Sequence, residues 1–159
     1  MTVEQVMKTN VQVCSPHDTL NTAVRIMWDH DCGVVPVVEE GKVVGMITDR
    51  DICMAAYLAG ARLSDLIVAS TMSRNVVTCR FDDQVGTVSG LMRTRQVRRV
   101  PVLDESDKLV GIVSLTDLAV EALQERKSRK RKALSPADVG QTLAGICAPH
   151  PGSELAAAS

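Results

Sequence analysis

Apolar and polar positions follow the same order twice along this chain. After Asp18, apolar residues at positions 20, 23, 24 and 27 are spaced three and four apart, which predicts one face of a helix. Two short runs rich in β-branched residues, 34–38 and 43–48, then flank a polar turn and predict a hairpin. A second helix is predicted to begin near Asp49. The order helix, strand, strand, helix recurs after Asp83.

The two copies align residue by residue. Gly45 and Gly111 differ by 66 positions, whereas five earlier pairs differ by 65, so the second copy carries one extra residue in the turn before Gly111. Those five pairs are Met7 and Met72, Cys14 and Cys79, Asp18 and Asp83, Met27 and Met92, and Pro36 and Pro101. A unit of about 60 residues buries too little surface to be stable alone. We therefore predict an α/β (α+β) fold of two pseudo-symmetric β-α units packed sheet against sheet.

The repeat also sets the predicted boundaries. We assign residues 3–60 to the first repeat, 61–125 to the second, and 126–159 to a basic stretch and a largely disordered C-terminal tail. Within that tail, the sequence SPADVGQTLAGI predicts one short helix from Pro136 to Ile146, with Ser135 as its N-cap.

Each copy ends its second strand with a similar motif, GMITDRDI at 45–52 and GIVSLTDL at 111–118. The simplest interpretation is a capping box, in which a hydroxyl residue and an acid three positions later satisfy free amides at a helix start. Aspartate is shorter than the usual glutamate, so we expect it to reach its own N-cap amide less easily and to point outward. Glycine inside a strand indicates close approach of a backbone or a ligand. A helix N-terminus favours phosphate and a carboxylate can bind a ribose, so the motif indicates a nucleotide site.

Together with GVVPVV and RRVPVL before them, these motifs resemble the CBS domain, and two in tandem resemble a Bateman module. The resemblance covers about residues 3–124, and the chain is also similar to stand-alone bacterial CBS-pair proteins of the hypoxic-response type. It implies a disc-like homodimer that binds an adenosine-containing ligand between the repeats, namely AMP, ADP, ATP, NAD or S-adenosylmethionine. It further implies a regulatory or sensor role towards an unknown protein target, with no catalysis and no required cofactor. Trp28 and Met27 are candidates for the dimer surface.

The resemblance also implies the residues that bind the ligand. The ribose carboxylates, the phosphate-side hydroxyls and the phosphate contacts would be, in that order, Asp51 and Asp117, Thr48 and Ser114, and Arg50 and Thr116. The adenine contacts would be Val13 and Thr78 on the first strand of each copy, and Gly33, Val34, Arg98 and Arg99 before the proline strands.

The two copies differ at these last positions. Arg98 and Arg99 offer two guanidinium groups where the first copy has Gly33 and Val34. We therefore expect the cleft lined by the arginines to prefer a phosphorylated ligand. One of two consecutive strand residues should face inward. The alternative is that the pair lies exposed on an edge strand and prevents aggregation of the sheet.

Composition narrows the classes of function. Only three residues are aromatic, which argues against proteins that stack nucleic-acid bases on aromatic platforms. No apolar run approaches the roughly 20 residues that span a bilayer, and the N-terminus lacks a signal-peptide pattern, so we expect no membrane association and a cytoplasmic protein. Five unevenly spaced cysteines argue against a secreted disulfide framework. No P-loop or G-x-S-x-G pattern occurs, so an enzyme is not expected.

Two alternative functions remain open from the sequence. The stretch RKSRKRK at 126–132 holds six of the 18 basic residues and favours, at most, weak binding of nucleic acid. Cys14 with His17, and His30 with Cys32, allow a cysteine-based redox or zinc sensor. Because the spacing lacks a second ligand arm and Cys14 matches Cys79 in the other copy, packing explains these cysteines better and we assign no metal residues.

Overall fold

The computed structural model describes residues 1–125 and 133–149. Both copies contain the predicted order of elements, and the fold is mixed α/β, as the sequence predicts. The helices and strands are α1 (Leu20–Asp29), β1 (Val34–Glu39), β2 (Lys42–Thr48), α2 (Asp49–Ala59), β3 (Cys79–Arg80), α3 (Val85–Arg95), β4 (Arg99–Leu103), β5 (Leu109–Ser114), α4 (Leu115–Glu125) and α5 (Pro136–Ile146). The basic stretch 126–132 and the last residues, 150–159, lie outside the described residues, so the predictions made for them stay predictions.

The described chain divides into two compact units. One comprises Thr9–Thr78 and Leu103–Gly111 and is called the first-repeat unit. The other comprises Met1–Lys8, Cys79–Val102 and the described residues from Ile112 onward, and is called the second-repeat unit.

In the first-repeat unit, β1 and β2 form an antiparallel hairpin in which Val34 lies opposite Thr48. Cys14 extends this sheet in parallel, since its amide donates to Pro36 O at 3.1 Å and its carbonyl accepts from Val38 N at 2.9 Å. One face of α1 packs on the sheet and, with residues from the segment after α2, forms the core. The buried core residues are Cys14, Leu20, Ala23, Met27, Val35, Val37, Ile47, Ile52, Val68 and Met72.

Gly45 in β2 is explained by packing within the same unit. The segment after α2 pairs with β2, because Ser73 and Met46 exchange two backbone hydrogen bonds of 2.9 Å. A Cβ atom on Gly45 would lie 3.0 Å from Ser73 O and 2.5 Å from the sulphur of Met72. The close approach predicted for this glycine is therefore confirmed, and the approaching groups are the backbone of Ser73 and the side chain of Met72.

The second-repeat unit repeats this arrangement with the N-terminal segment of the chain. Its sheet has the order β3-β4-β5. Lys8 and Ile112 exchange two backbone hydrogen bonds of 2.9 Å, and Val3 N donates to Asp83 O at 2.9 Å. The fully buried residues of this unit include Val3, Val85, Met92, Val100, Val102, Val113 and Leu118.

The predicted C-terminal helix is confirmed as α5, with the predicted N-cap Ser135 and proline in its first turn. It packs against α3 and α4 in the second-repeat unit. Leu134, Thr142 and Ile146 are buried there. The Gln96 amide nitrogen donates to Gly145 O at 3.3 Å and to Ala148 O at 2.7 Å, which fixes the C-terminal end of the helix.

Candidate nucleotide-binding sites

Asp51 closes a capping box at the start of α2. The carboxylate oxygen Oδ2 accepts hydrogen bonds from Thr48 N at 2.9 Å and Thr48 Oγ1 at 2.7 Å, and Asp51 N donates to Thr48 Oγ1 at 3.1 Å. The expectation that a short aspartate would reach its own N-cap amide poorly and point outward is therefore wrong. The hydroxyl residue ends the strand in extended backbone, which brings its amide within reach of the shorter acid.

Asp117 makes the same arrangement at the start of α4. Its Oδ2 accepts from Ser114 N at 2.9 Å and also from the Ser114 hydroxyl, while Asp117 N donates to Ser114 Oγ at 3.2 Å. The two predicted ribose carboxylates thus lie at equivalent positions in their units. In each, capping occupies Oδ2, and Oδ1 remains as the oxygen that can accept from another group.

The capping box alone does not indicate a ligand. Ser135 and Asp138 form a third box at the start of α5, with Ser135 N donating to Asp138 Oδ2 at 2.8 Å and Asp138 N to Ser135 Oγ at 3.2 Å. The hydrogen bonds from the Ser135 side chain and backbone lower the pKa of Asp138. A nucleotide role for Asp51 and Asp117 must therefore rest on what surrounds them.

The residues before each proline strand lie beside these helix starts. Asp49 N donates to Gly33 O at 3.2 Å, and at the equivalent place Leu115 N donates to Arg98 O at 2.9 Å. Within the first-repeat unit, Gly33, Val34, Thr48 and Asp51 are thus brought together. Within the second-repeat unit, Arg98, Ser114 and Asp117 are brought together in the same way.

Arg98 and Arg99 are both exposed, so the expectation that one of them faces inward is wrong. The reason is that β4 begins at Arg99 and its buried part begins only at Val100. The Arg98 guanidinium lies 3.9 Å from the sulphur of Cys147. Both side chains are accessible, which is compatible with a ligand contact. The alternative that the pair lies on an edge strand is wrong, because β4 is the central strand of its sheet.

The other four predicted contact residues take no part in the capping boxes. Val13 is exposed and precedes the strand residue Cys14, and Thr78 is half-buried before β3. Arg50 and Thr116 are exposed in the first turns of α2 and α4. Among the described residues, none of these four side chains hydrogen-bonds to Asp51 or Asp117.

Sequence reasoning missed two residues beside the sites. Lys8 Nζ lies 3.3 Å from Asp117 Oδ1, and the side chain of Asp117 is only 12% exposed. Asp49 lies beside Gly33, since a Cβ atom on that glycine would meet Asp49 Oδ2 at 3.0 Å. The internal alignment pairs Lys8 with Ser73 and Asp49 with Leu115, so it shows that the copies differ in charge at both positions, but it does not show that either residue lies beside a site.

The cysteines matched between the copies are packing residues, as the sequence predicts. Cys14 and Cys79 are both buried. Burial, with a smaller effect of Asp18, raises the pKa of Cys14 to about 11. Burial and then Asp83 raise the pKa of Cys79 to about 12. His17 Nε2 lies 3.1 Å from Glu39 Oε1. Within residues 1–125 and 133–149, groups of three or more metal-ligating side chains do not occur.

A cavity of about 470 Å³ opens between α1 and α2 in the first-repeat unit. It is lined by Val24, Met27, Trp28, Cys32, Asp49, Ile52, Cys53, Ala56 and Leu63. None of these is a predicted nucleotide-contact residue, and the lining is mainly apolar.

Comparison with known proteins decides the family. The family model of the CBS domain matches residues 3–57 and again residues 63–123. The chain belongs to the CBS domain family. The resemblance found in the sequence is thereby confirmed for both repeats. Stand-alone CBS-pair proteins are typically regulatory.

Two relatives illustrate the similarity in sequence. The CBS domain-containing protein YhcV of Bacillus subtilis is 37% identical over 126 residues, covering 79% of this chain and 89% of the relative. Hypoxic response protein 1 of Mycobacterium tuberculosis is 31% identical over 119 residues, covering 74% of this chain and 82% of the relative.

Solved structures of CBS pairs share the fold. The crystal structure of hypoxic response protein I with two coordinated zinc ions has a TM-score of 0.69 at 30% identity, covering 76% of this chain and 98% of that one. The CBS domain pair of protein MJ0100, in complex with 5′-methylthioadenosine and S-adenosyl-L-methionine, has a TM-score of 0.66 at 28% identity, covering 80% and 98%.

Within the described residues, the helices are all too short or too polar to cross a membrane.

Proposed function

We propose that this CBS-pair protein is a sensor that binds an adenosine-containing ligand and signals to a protein partner. The observation that carries the proposal is the pair of carboxylates, Asp51 and Asp117, at equivalent helix starts. Capping uses only Oδ2 of each, so Oδ1 can accept from ribose hydroxyls without loss of the cap. The domain boundaries 3–60 and 61–125 and a cytoplasmic location, which the cysteine spacing favours, are part of this proposal.

The ligand class follows from the family and from the site. The related MJ0100 pair holds two adenosine derivatives, one of them S-adenosylmethionine. Amide groups at the starts of α2 and α4 favour a phosphate or another anion, and the neighbouring carboxylates favour a ribose. We therefore infer a ligand with an adenosine body, and we assign the protein no catalytic step and no required cofactor.

Homodimerisation is the second part of the proposal. Trp28 on α1 is 86% exposed, and Tyr57 on α2 is 78% exposed, as is much of its neighbour Leu58. Because α1 and α2 contact each other, we treat these side chains as one apolar surface on α1 and α2. Apolar surfaces of this kind typically mark association sites. Met27, the other candidate from the sequence, is 8% exposed and belongs to the core instead. On α3, the helix that corresponds to α1, α5 already covers part of the surface.

Zinc binding is a second candidate because the related hypoxic response protein I structure holds two coordinated zinc ions. In this protein, the possible zinc ligands Cys14 and His17 are poorly suited to bind the metal. Zinc binds a thiolate, whereas burial keeps the Cys14 thiol protonated with a pKa of about 11. His17 is already 3.1 Å from Glu39. A calorimetric titration of the metal-free protein with ZnCl₂ tests this candidate, and we expect no tight binding.

A thermal-shift screen tests the proposed ligand class. The panel consists of AMP, ADP, ATP, NAD and S-adenosylmethionine, with GMP and inorganic phosphate as controls. A ligand at 100 times its dissociation constant stabilises the folded state by about 2.7 kcal/mol, so a true ligand raises the melting temperature measurably. Stabilisation by an adenosine compound and not by GMP supports the proposal. The absence of a shift with every adenosine compound at millimolar concentration overturns it.

A further inference from the structure

Lys8 and Ser73 occupy equivalent positions in the two units. Each residue lies in the segment that pairs with the second strand of a hairpin, Lys8 with Ile112 and Ser73 with Met46. Each pair exchanges two backbone hydrogen bonds of 2.9 Å. The backbone pairing of these two residues is thus the same in both units, while their side chains differ.

Because of this difference in side chain, the ammonium group of Lys8 lies beside Asp117, whereas the matching residue of the other unit, Ser73, is uncharged. Lys8 Nζ lies 3.3 Å from Asp117 Oδ1, which is the carboxylate oxygen that capping leaves available. The equivalent carboxylate, Asp51, has a serine at the matching position. The side chain of Lys8 is 70% exposed, and an ion pair with so exposed a lysine is weak. A ligand hydroxyl can therefore displace the ammonium group from Asp117.

The other charged residues beside the two helix starts also make the Asp117 site more positive than the Asp51 site. Beside the Asp117 helix start, Lys8 contacts the carboxylate, and Arg98, whose carbonyl accepts from Leu115 N, is followed along the chain by Arg99. Around Asp51 stand a second acid, Asp49, and one exposed base, Arg50. The matched pairs Thr48 and Ser114, and Val13 and Thr78, are uncharged in both units. Arg74, next to Ser73, has Thr9 as its counterpart and donates to Ala69 O at 3.2 Å. An anionic ligand is therefore favoured more strongly in the second-repeat unit than in the first.

We propose that Lys8 makes the Asp117 site selective for adenosine ligands that carry a phosphate. This inference rests on the proposed function. When the ribose hydroxyls bind Asp117 Oδ1, the ammonium group of Lys8 leaves that oxygen and donates to the ligand phosphate. Lysine suits this role because it is a compact charge on a flexible stem and a common phosphate ligand. The Asp51 site lacks this group and accepts an uncharged adenosine ligand as readily as a phosphorylated one.

Exchange of the two residues tests the inference on the full chain. Calorimetric titrations with AMP and with adenosine are compared for the wild type, Lys8→Ser, Ser73→Lys and the double exchange. The double exchange keeps the net charge and moves the lysine from one unit to the other. Lys108→Ser is the matched control, since it removes an exposed lysine from a turn. Both exchanged side chains are exposed, and a melting curve for each variant confirms that it folds.

We expect Lys8→Ser to weaken AMP binding about tenfold and to leave adenosine binding nearly unchanged, since only AMP carries the phosphate. Lys108→Ser should change neither. In the double exchange, the preference for AMP should move to the Asp51 site, so that Asp51→Ala rather than Asp117→Ala abolishes the tighter binding. If AMP binds and Lys8→Ser leaves the ratio of AMP to adenosine affinity unchanged, the inference is overturned while the proposed function stands. If neither compound nor any other adenosine ligand binds the wild type, the proposed function itself fails, and the inference with it.

Discussion

Ser89 Oγ and Thr142 Oγ1 share a hydrogen bond of 2.7 Å in the buried contact between α3 and α5. Thr142 Oγ1 also donates to Asp138 O at 2.9 Å within its own helix. The contact is polar at its centre, where most helix contacts are apolar. The C-terminal helix is therefore held to the second-repeat unit by specific pairing as well as by burial.

This pairing predicts a non-additive mutant cycle. Thr142→Val keeps the volume of the side chain and leaves the Ser89 hydroxyl buried without its partner, so we expect a loss of about 1 to 3 kcal/mol in the free energy of unfolding. The double variant Ser89→Ala with Thr142→Val should cost less than the sum of the single changes, because neither group is then left unpaired. Urea denaturation measures all four proteins. Strict additivity would contradict the pairing.

Gly45 and Gly90 should respond to alanine in opposite directions. Alanine at Gly45 would place its Cβ atom 3.0 Å from Ser73 O, so we expect a loss of about 1 to 3 kcal/mol in stability. At Gly90, inside α3, a Cβ atom meets nothing within 4 Å, and alanine should stabilise the helix by about 1 kcal/mol. Chemical denaturation of the two variants gives the comparison. A stabilising Gly45→Ala would show that the 72–73 segment does not approach β2 closely.

The cysteines should divide into reactive and protected groups. Cys53 and Cys147 are exposed, whereas Cys14 and Cys79 are buried with pKa values of about 11 and about 12. Brief treatment with iodoacetamide at pH 8, read by mass spectrometry, should label Cys53 and Cys147 first, because alkylation needs an accessible thiolate. Rapid labelling of Cys14 in the native protein would contradict the packing role.

The same two thiols predict how stability depends on pH in the alkaline range. Their pKa values rise from an ordinary value of 9.0 on folding, so the folded state holds these protons more tightly than the unfolded state. Their contribution is complete below pH 9 and is lost as the pH rises from there towards about 11 and about 12. Replacement of Cys79 by alanine should flatten this loss. An unchanged slope would show that other groups cause it.

The apolar surface on α1 and α2 predicts where self-association is disrupted. Trp28→Glu with Tyr57→Glu should convert a dimer to a monomer in light scattering, because charges at the centre of an interface are costly to desolvate. Val120→Glu in α4 is the matched control, since this residue is half exposed in the other unit. A wild-type protein that scatters as about 17 kDa at all concentrations would exclude the dimer.

The repeat made most of the fold predictable. Apolar spacing predicted α1 and α3, the proline strands predicted both hairpins, and Ser135 followed by proline predicted α5 with its observed bounds. What the pattern could not show was which segment pairs with which sheet. Lys8 pairs with Ile112 and Ser73 with Met46, and the residues of each pair are far apart along the chain. The sequence therefore does not show that Lys8 lies beside Asp117.

The site was predictable only in part for a related reason. Residue types identified Asp51 and Asp117, but the distance from an aspartate to its own N-cap amide depends on the backbone of Thr48 and Ser114, which a motif does not specify. The exposure of Arg98 similarly depends on where β4 begins. In both cases a small change in the backbone decides whether the side chain caps the helix or is exposed, and residue types alone do not specify that backbone.

The most direct test of ligand binding compares three aspartates that form the same capping box. Calorimetric titration with AMP is carried out on Asp117→Ala, Asp51→Ala and Asp138→Ala, the last being the control for loss of a box outside the proposed sites. If the carboxylate binds the ribose, Asp117→Ala removes charged hydrogen bonds of about 1.5 to 3 kcal/mol and weakens AMP binding roughly 10- to 150-fold. Asp51→Ala should cost less for AMP, and Asp138→Ala should leave AMP binding unchanged. AMP binding by Asp117→Ala that equals that of Asp138→Ala would contradict the account.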